Sequence, residues 1–173
     1  MSDRFAHQLR LDQIREGDRL DLVADEAERI VVANRLGLGA LSCLEAHVVL
    51  SRSGDVIRAR GRLAARLEQS CVVTNEPVPA HVDEAFELIF MPEPPPAGAD
   101  EEIELGGGDL DVVFHDGAAI DLGTAIADSL ALSLDPYPRS AGADAALKEA
   151  GVMNEAEASP FAVLAKLKED KGS

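Results

Sequence analysis

Apolar and polar side chains alternate with a period of two through the middle of the chain. Residues 44–52 and 55–67 alternate in this way and are joined by a Ser-Gly-Asp turn, which predicts a β-hairpin. Residues 81–91 also alternate, with Phe86 and Phe90 on the same side. The pattern therefore predicts an antiparallel β-sheet at the centre of the fold.

Shorter runs on both sides of this region predict further extended segments. They are residues 5–11, 71–73, 101–105 and 110–114. Three consecutive glycines join the last two of these runs, and Asp116-Gly117 gives a further turn signal after them.

A first helix is predicted over residues 25–36. Asp25 is placed to cap it, Glu28 stands three residues later as in a capping box, and Gly37 is placed to end it. One face of this helix would hold Ala27, Ile30, Val31 and Asn34.

The second half of the chain contains three helix candidates. The strongest covers 121–134, where Asp121 would act as the cap and Pro136 prevents continuation. Its apolar stripe consists of Leu122, Ile126, Leu130 and Leu134. A short helix is predicted over 144–150. Another begins at Ser159, with Pro160 in the first helical position.

These elements predict an α+β fold, with an antiparallel sheet core, a few packed helices and a short C-terminal helix. The 173-residue length suits one domain. We expect that domain to cover 1–158, with a proline-rich loop at 92–98 inside it, and a C-terminal helix or tail at 159–173.

Charge is distributed unevenly along the chain. The formal net charge is −16; residues 1–73 hold 11 basic and 11 acidic side chains, whereas residues 74–173 hold 5 and 21. Because an acidic surface repels phosphate, any contact with nucleic acid should come from the first half. The acidity is also consistent with a role in solubility alone.

Location and cofactors follow from what the sequence lacks. No run approaches the ~18 apolar residues of a membrane span, and the first residues lack a signal-peptide pattern. Two cysteines, Cys43 and Cys71, are too few for a disulfide framework or a four-thiolate zinc site. We therefore expect a cytoplasmic protein with no membrane contact, no metal and no other cofactor.

A row of arginines is the main candidate for binding. With a period of two, Arg58, Arg60 and Arg62 share one strand face, and Arg66 lies nearby in sequence. Guanidinium groups arranged in this way suit RNA phosphates. The alternative is a solvated face, or ion pairs with acidic strands of the same chain.

Catalysis has little support in the residues. Cys71 lies between apolar neighbours and has no catalytic partner at a recognisable spacing, which is typical of a small core residue. Asp109, Asp111 and Asp116 would have to cluster with other carboxylates to bind a nuclease metal ion. A metal-dependent hydrolase or nuclease is therefore the alternative to a non-enzymatic protein.

Three segments together resemble the YceD family of bacterial large ribosomal RNA subunit accumulation proteins. The first, residues 69–78, contains Cys71, Thr74, Glu76 and Pro77. The second is Ile120-Asp121-Leu122-Gly123 at the start of the leucine-rich helix. The third, residues 159–167, contains Pro160, Phe161 and Leu164. Their order and spacing match the family pattern.

The resemblance implies a role in the accumulation or processing of 23S rRNA and in large-subunit assembly. It implies no known enzymatic activity and no catalytic residues. The partner would be precursor ribosomal RNA, a ribosomal protein or another assembly factor, and the protein is expected to be a monomer. Many family members carry further cysteines, but here Thr74 takes the place of the second thiol and residues 136–141 contain none. Zinc binding is therefore not expected.

Two mechanisms are compatible with this role. In one, the arginine row contacts RNA phosphates, and the scarcity of aromatic residues argues against base stacking. In the other, the acidic half holds a basic protein by charge complementarity. The composition favours the second mechanism.

Overall fold

The computed structural model describes residues 3–5, 8–94 and 111–152. Its strands are β1 (Asp3–Arg4), β2 (Gln8–Arg10), β3 (Arg19–Val23), β4 (Ala40–Ser53), β5 (Val56–Ser70), β6 (Pro77–Pro92), β7 (Asp111–His115) and β8 (Ala119–Asp121). The helices are α1 (Glu26–Leu36), α2 (Leu122–Leu132) and α3 (Ala143–Glu149), with a 3-10 turn at Leu11–Gln13. The expected α+β class is confirmed.

Among the described residues, six strands form one sheet in the order β1-β3-β4-β5-β6-β7, and β2 pairs with β8 in a second, two-stranded sheet. Strands β3, β4 and β5 are antiparallel neighbours, as predicted. Each edge of the large sheet is instead a parallel pair, β1 with β3 and β6 with β7. The sheet is therefore antiparallel at its centre and mixed overall.

The described residues divide into two compact units. The sheet unit comprises 3–5, 8–69, 79–94 and 111–136, and the Cys71 unit comprises 70–78 and 137–152. The hydrophobic core of the sheet unit joins the inward sides of β4, β5 and β6 to α2. In α2 the predicted stripe is confirmed: Leu122, Ile126 and Leu130 are buried, and Leu134, beyond the last turn, packs against the same core.

Helix α1 begins and ends as predicted. The Glu28 amide donates to Asp25 Oδ1 at 2.9 Å, and the Asp25 amide donates to Glu28 Oε2 at 2.8 Å, which completes a capping box. Gly37 ends the helix in the left-handed conformation, with φ 66°.

The orientation of α1 differs from the simplest interpretation of its apolar face. Its buried residues are Val32 and Ala33, whereas Ile30 and Val31 are exposed. Apolar residues occur on several sides of this helix, so periodicity alone does not select the buried one. The Arg29 guanidinium donates to the Ala24 carbonyl at 2.9 Å, so this polar side chain is satisfied at the boundary of the core.

The other predicted elements agree to different degrees. The hairpin is confirmed and is longer than expected, with Gly54 in its turn at φ 63°. The strands over 81–91 and 110–114 and the helix over 144–150 are confirmed with shifted ends. Among the described residues of the predicted first strand, Gln8–Arg10 are extended, whereas Phe5 is a bend and Leu11 starts a 3-10 turn. The predicted strand at 101–105 and the helix starting at Ser159 lie outside the described residues.

Among the residues that the structure covers, no helix is long and apolar enough to cross a membrane.

Gly61 is a point of close backbone approach at the centre of β5. It pairs with Val48 on β4, and a Cβ at this position would clash with the backbone carbonyl of His47 and lie 3.0 Å from Cζ of Phe86. We predict that Gly61→Ala lowers the free energy of unfolding by about 1–3 kcal/mol, because a backbone atom cannot move aside cheaply. Urea denaturation measures this change.

Gly39→Ala is the matched control. A Cβ at Gly39 would meet the Glu68 carbonyl oxygen at an ordinary 3.5 Å. Its free energy of unfolding should stay within about 0.5 kcal/mol of the wild-type value or rise slightly. Equal changes in the free energy of unfolding for Gly61→Ala and Gly39→Ala would contradict the register assigned between β4 and β5.

Candidate functional site

The arginine row lies on the exposed face of β5, as the alternation predicts. Arg58, Arg60 and Arg62 have side-chain exposures of 44%, 62% and 61%. The intervening Ile57, Ala59 and Leu63, by contrast, belong to the core, so the two sides of β5 are chemically opposite.

Acidic residues of the neighbouring strand β6 pair with this row. Glu87 Oε1 lies 2.9 Å from Arg60 Nη2 and 3.5 Å from Arg58 Nε. This Glu87 oxygen is buried, and its two contacts lack hydrogen-bond geometry, so they are ion pairs rather than directed hydrogen bonds. Asp83 Oδ1 accepts a hydrogen bond from Arg62 Nε at 2.5 Å. That bond lowers the pKa of Asp83 and raises the pKa of Arg62.

The same face continues the alternation of charge across β3 and β4. Asp21 pairs in register with His47, which pairs with Arg62. His47 Nδ1 and Asp21 Oδ1 are 2.6 Å apart, and the hydrogen bond from His47 to Asp21 raises the pKa of this histidine. Asp21, His47, Arg62 and Asp83 therefore form a cross-strand row in which basic groups lie between acidic ones.

Arg66 lies apart from this compensated group. It is exposed and pairs in register with Cys43 on β4. It lines a surface pocket of about 470 Å³ together with Ser42, Glu68 and His81. Within residues 3–5, 8–94 and 111–152, no carboxylate forms an ion pair with Arg66.

The first family-like segment forms a tight turn in the Cys71 unit. The prediction of an extended piece at 71–73 is wrong, because residues 72–74 are a turn. The Asn75 amide donates to the Cys71 carbonyl at 2.9 Å, and Asn75 adopts φ 60°, a conformation that asparagine tolerates better than most residues. The Cys71 amide donates to the Glu76 carbonyl at 2.8 Å, and Pro77 then begins β6.

Backbone amides surround the sulfur of Cys71, which is 3% exposed. Val73 and Thr74 donate to Sγ at 3.4 Å, and Ser140 donates at 3.2 Å. Burial raises the pKa of this thiol, but the hydrogen bonds from Thr74 and Ser140 outweigh that effect and lower the pKa to about 6. The sulfur is therefore mainly a thiolate at neutral pH.

Hydroxyl and carboxylate groups extend this cluster. Thr74 Oγ1 donates to Glu76 Oε2 at 2.9 Å and lies 3.0 Å from Ser140 Oγ. Hydrogen bonds from Ser140 and Thr74 lower the pKa of Glu76. Within the Cys71 unit, the Val72 amide also donates to the Pro138 carbonyl at 2.9 Å. The cluster thus joins segment 70–78 to segment 137–152 through side-chain and backbone hydrogen bonds.

The donor set of this cluster does not suit zinc. Cys71 is its single thiol, and Thr74 and Ser140 supply hydroxyl groups, which are not ordinary zinc ligands. Across the described ranges, no group of three or more His, Cys, Asp or Glu side chains is placed to hold a metal ion. Both cysteines are free thiols, with Cys43 on β4 in the sheet unit.

The second family-like segment has a structural role, and the third lies outside the described residues. Asp121 Oδ1 accepts from the Thr124 amide at 2.9 Å, which confirms the predicted cap of α2, and Leu122 is buried below it. Pro160, Phe161 and Leu164 belong to the part of the chain beyond Val152 that is not described. Ser140 was not predicted; its only signal is its position within 136–141, where the family resemblance implies cysteines in many members.

The depressed thiol pKa predicts a pH-dependent stability. A group with a folded pKa of about 6 against an ordinary value of 9.0 stabilises the fold fully above 9.0. That contribution is lost progressively as the pH falls from 9.0 to about 6, because in this range the unfolded state holds a proton that the folded state has released, and it is gone below about 6. In urea denaturation, the free energy of unfolding of the wild-type protein should rise from pH 6 to pH 9 more steeply than that of Cys71→Ala.

Cys43→Ala is the matched control, and it should keep the wild-type slope because Cys71 is intact. Parallel pH profiles for the wild-type protein and Cys71→Ala would show that Cys71 is not a thiolate in the folded state.

Comparison with known proteins identifies a family. A family model described as "Large ribosomal RNA subunit accumulation protein YceD" matches residues 59–168, which is more than half of the chain. Neither a curated protein nor a solved structure matches the chain. The match covers Arg60 and Arg62 of the arginine row, the Cys71 turn and α2, and the family name indicates involvement in the accumulation of large-subunit ribosomal RNA. The chain belongs to the YceD family.

Proposed function

We propose that this protein is a non-enzymatic, cytoplasmic factor that supports 23S rRNA accumulation and processing and the assembly of the large ribosomal subunit. It acts as a monomer by binding a basic ribosomal protein or a basic assembly factor. The family description supports the link to large-subunit RNA and names no reaction. The charge of −16 supports a basic partner, because complementary charge favours and orients association.

The observation that carries this choice of partner is the compensation of the arginine row. Two carboxylates, Glu87 and Asp83, already lie against Arg58, Arg60 and Arg62. RNA phosphates would have to compete with these carboxylates, and each displaced contact offsets part of the gain from a new one. This competition disfavours direct RNA binding on the exposed face of β5. It therefore favours a protein partner that binds another surface of the molecule.

Direct RNA contact is the second candidate, and Arg66 favours it. Arg66 and His81 line the same pocket, and both are exposed. An arginine and a histidine can together bind a phosphate group. Glu68 in the same pocket reduces the attraction.

A metal-dependent nuclease has less support. Asp111 and Asp116 lie at the start and just beyond the end of β7, and Asp116 accepts a hydrogen bond from the Ala118 amide at 2.8 Å. Asp109 lies outside the described residues. Magnesium-dependent RNA cleavage by the purified protein, abolished by Asp111→Asn, would establish this activity instead.

Depletion of the protein in its own host tests the proposed function. We expect the ratio of large- to small-subunit ribosomal RNA to fall and 23S precursors to accumulate, with fewer large subunits in sucrose gradients. Re-expression of the wild-type chain should restore the ratio. An unchanged ratio after verified depletion would overturn the proposal.

Substitution of the arginine row separates the two candidate mechanisms. The triple variant Arg58→Gln, Arg60→Gln and Arg62→Gln should restore the ribosomal RNA ratio to within about twofold of wild type, because Glu87 and Asp83 already compensate most of the charge of these three groups. Arg66→Gln is the matched comparison for the RNA candidate. Thermal unfolding of each variant controls for loss of the fold.

Filter binding to a 23S precursor fragment at two salt concentrations gives the direct readout. A loss of tenfold or more in RNA affinity for the triple variant, with a shallower salt dependence, would favour the RNA mechanism and contradict the protein-partner mechanism.

A further inference from the structure

Helix α1 presents an apolar side that the sheet unit does not bury. Val31 is 66% exposed and Ile30 is 55% exposed, whereas Val32 and Ala33 on the opposite side are each 8% exposed. When a partner covers branched apolar side chains on an exposed helix face, apolar surface is removed from water, and this favours binding. Val31 is therefore available to a partner, and it also lines a groove that Ile30 does not line.

A groove lies beside this exposed side, between α1 and α2 of the sheet unit. Its volume is about 250 Å³. The α1 wall includes Ala27 and Val31, and Phe5 also contributes to its apolar lining. The α2 wall consists of Gly123, Thr124 and Ala127, which are small residues and leave the space between the helices unfilled. The groove can therefore accept an apolar side chain from outside.

An ion pair borders the groove. Arg35 on α1 lines it, and its Nη2 donates to Asp128 Oδ1 on α2 at 2.5 Å. This ion pair connects the two helices that form the walls, and it places a polar boundary beside the apolar interior of the groove. Polar boundaries around an apolar centre are the usual arrangement at protein interfaces.

The two helices that form the groove are acidic. The two helices and their caps carry five carboxylates, Asp25, Glu26, Glu28, Asp121 and Asp128. They carry two guanidinium groups, on Arg29 and Arg35, so carboxylates remain in excess when the Arg35–Asp128 pair is set aside. This balance disfavours RNA and also a second copy of the chain, which carries the same charge of −16.

We propose that the groove between α1 and α2 binds a basic amphipathic helix of another protein, with apolar side chains of that helix against Val31 and Ala127. Lysine and arginine side chains on the flanks of that helix face the acidic residues of α1, α2 and their caps. This is the helix-in-groove mode of recognition. The inference rests on the proposed function, in which the partner is a basic protein, and it names the surface that receives that partner.

The test uses the full-length, 15N-labelled protein and a synthetic peptide. The peptide has leucine at positions i, i+3, i+4 and i+7 with lysine at the other positions, and a scrambled peptide has the same composition. We expect the ordered peptide to shift the backbone amide resonances of Ala27, Val31, Gly123 and Ala127 at concentrations where the scrambled peptide does not. Val31→Gln should weaken binding at least tenfold.

Leu132→Gln is the matched control, because Leu132 is a more exposed apolar residue, at 76%, at the end of α2 and outside the groove. Its affinity should stay within about twofold of wild type, in keeping with a surface residue distant from the site. Both substitutions replace exposed side chains, and thermal unfolding verifies that both variants fold.

Three results would overturn the inference: equal shifts with the scrambled peptide, shifts confined to other parts of the protein, or shifts of the groove amides by a single-stranded RNA oligonucleotide in place of the peptide. The ribosomal RNA ratio after depletion tests the proposed function separately. An unchanged ribosomal RNA ratio with intact peptide binding would overturn the proposed function and leave the groove as a helix-binding site. A fallen ratio with no peptide binding would remove the groove inference alone.

Discussion

The two-residue repeat of β5 is the constraint on which the sheet unit depends. Because successive side chains of a strand point to opposite faces, the residues that complete the core alternate with the arginines. A shift of one residue in the pairing of β5 would turn guanidinium groups toward the core that contains Leu122 and Ile126 and would expose Ile57 and Leu63. The arginine row is thus fixed in place by the hydrophobic core on the other side of the same strand.

The Cys71 unit depends on a different physical interaction, the solvation of a sulfur atom by amide groups. Three N–H groups approach Sγ from two segments that are distant in sequence. They lower the energy of the thiolate in a place where water has little access. A turn held by a metal ion responds to the supply of that ion, whereas this turn responds to proton activity.

Local signals predicted the local structure well. The capping box of α1, the glycine turn of the hairpin and the apolar stripe of α2 each depend on residues within a few positions of one another. The exposure of Ile30 and Val31 was not predictable, because the docking of α1 is decided by contacts with β4 and the core. Likewise the predicted strand at 71–73 is wrong, because hydrogen bonds within the turn and with residues near 140 outweigh the local preference of two valines for extended structure.

The sequence located the arginine row and the Cys71 segment but not what surrounds them. Arg62 and Asp83 are 21 residues apart, and their pairing depends on how β5 and β6 lie side by side. Ser140 is 69 residues from Cys71, so its contribution to the sulfur site follows only from the fold. The groove between α1 and α2 has the same origin, since small residues on α2 create space only when α1 lies opposite them.

The alternating charges on the exposed sheet face also determine how far that face can act. Neighbouring strands are about 4.8 Å apart, which is shorter than the Debye length of about 8 Å at physiological salt. Above the pairs Arg60–Glu87 and Arg62–Asp83, the positive and negative potentials therefore largely cancel before they extend into solution. A nucleic acid passing at a distance is neither attracted nor guided by this face, and any recognition there begins only at contact.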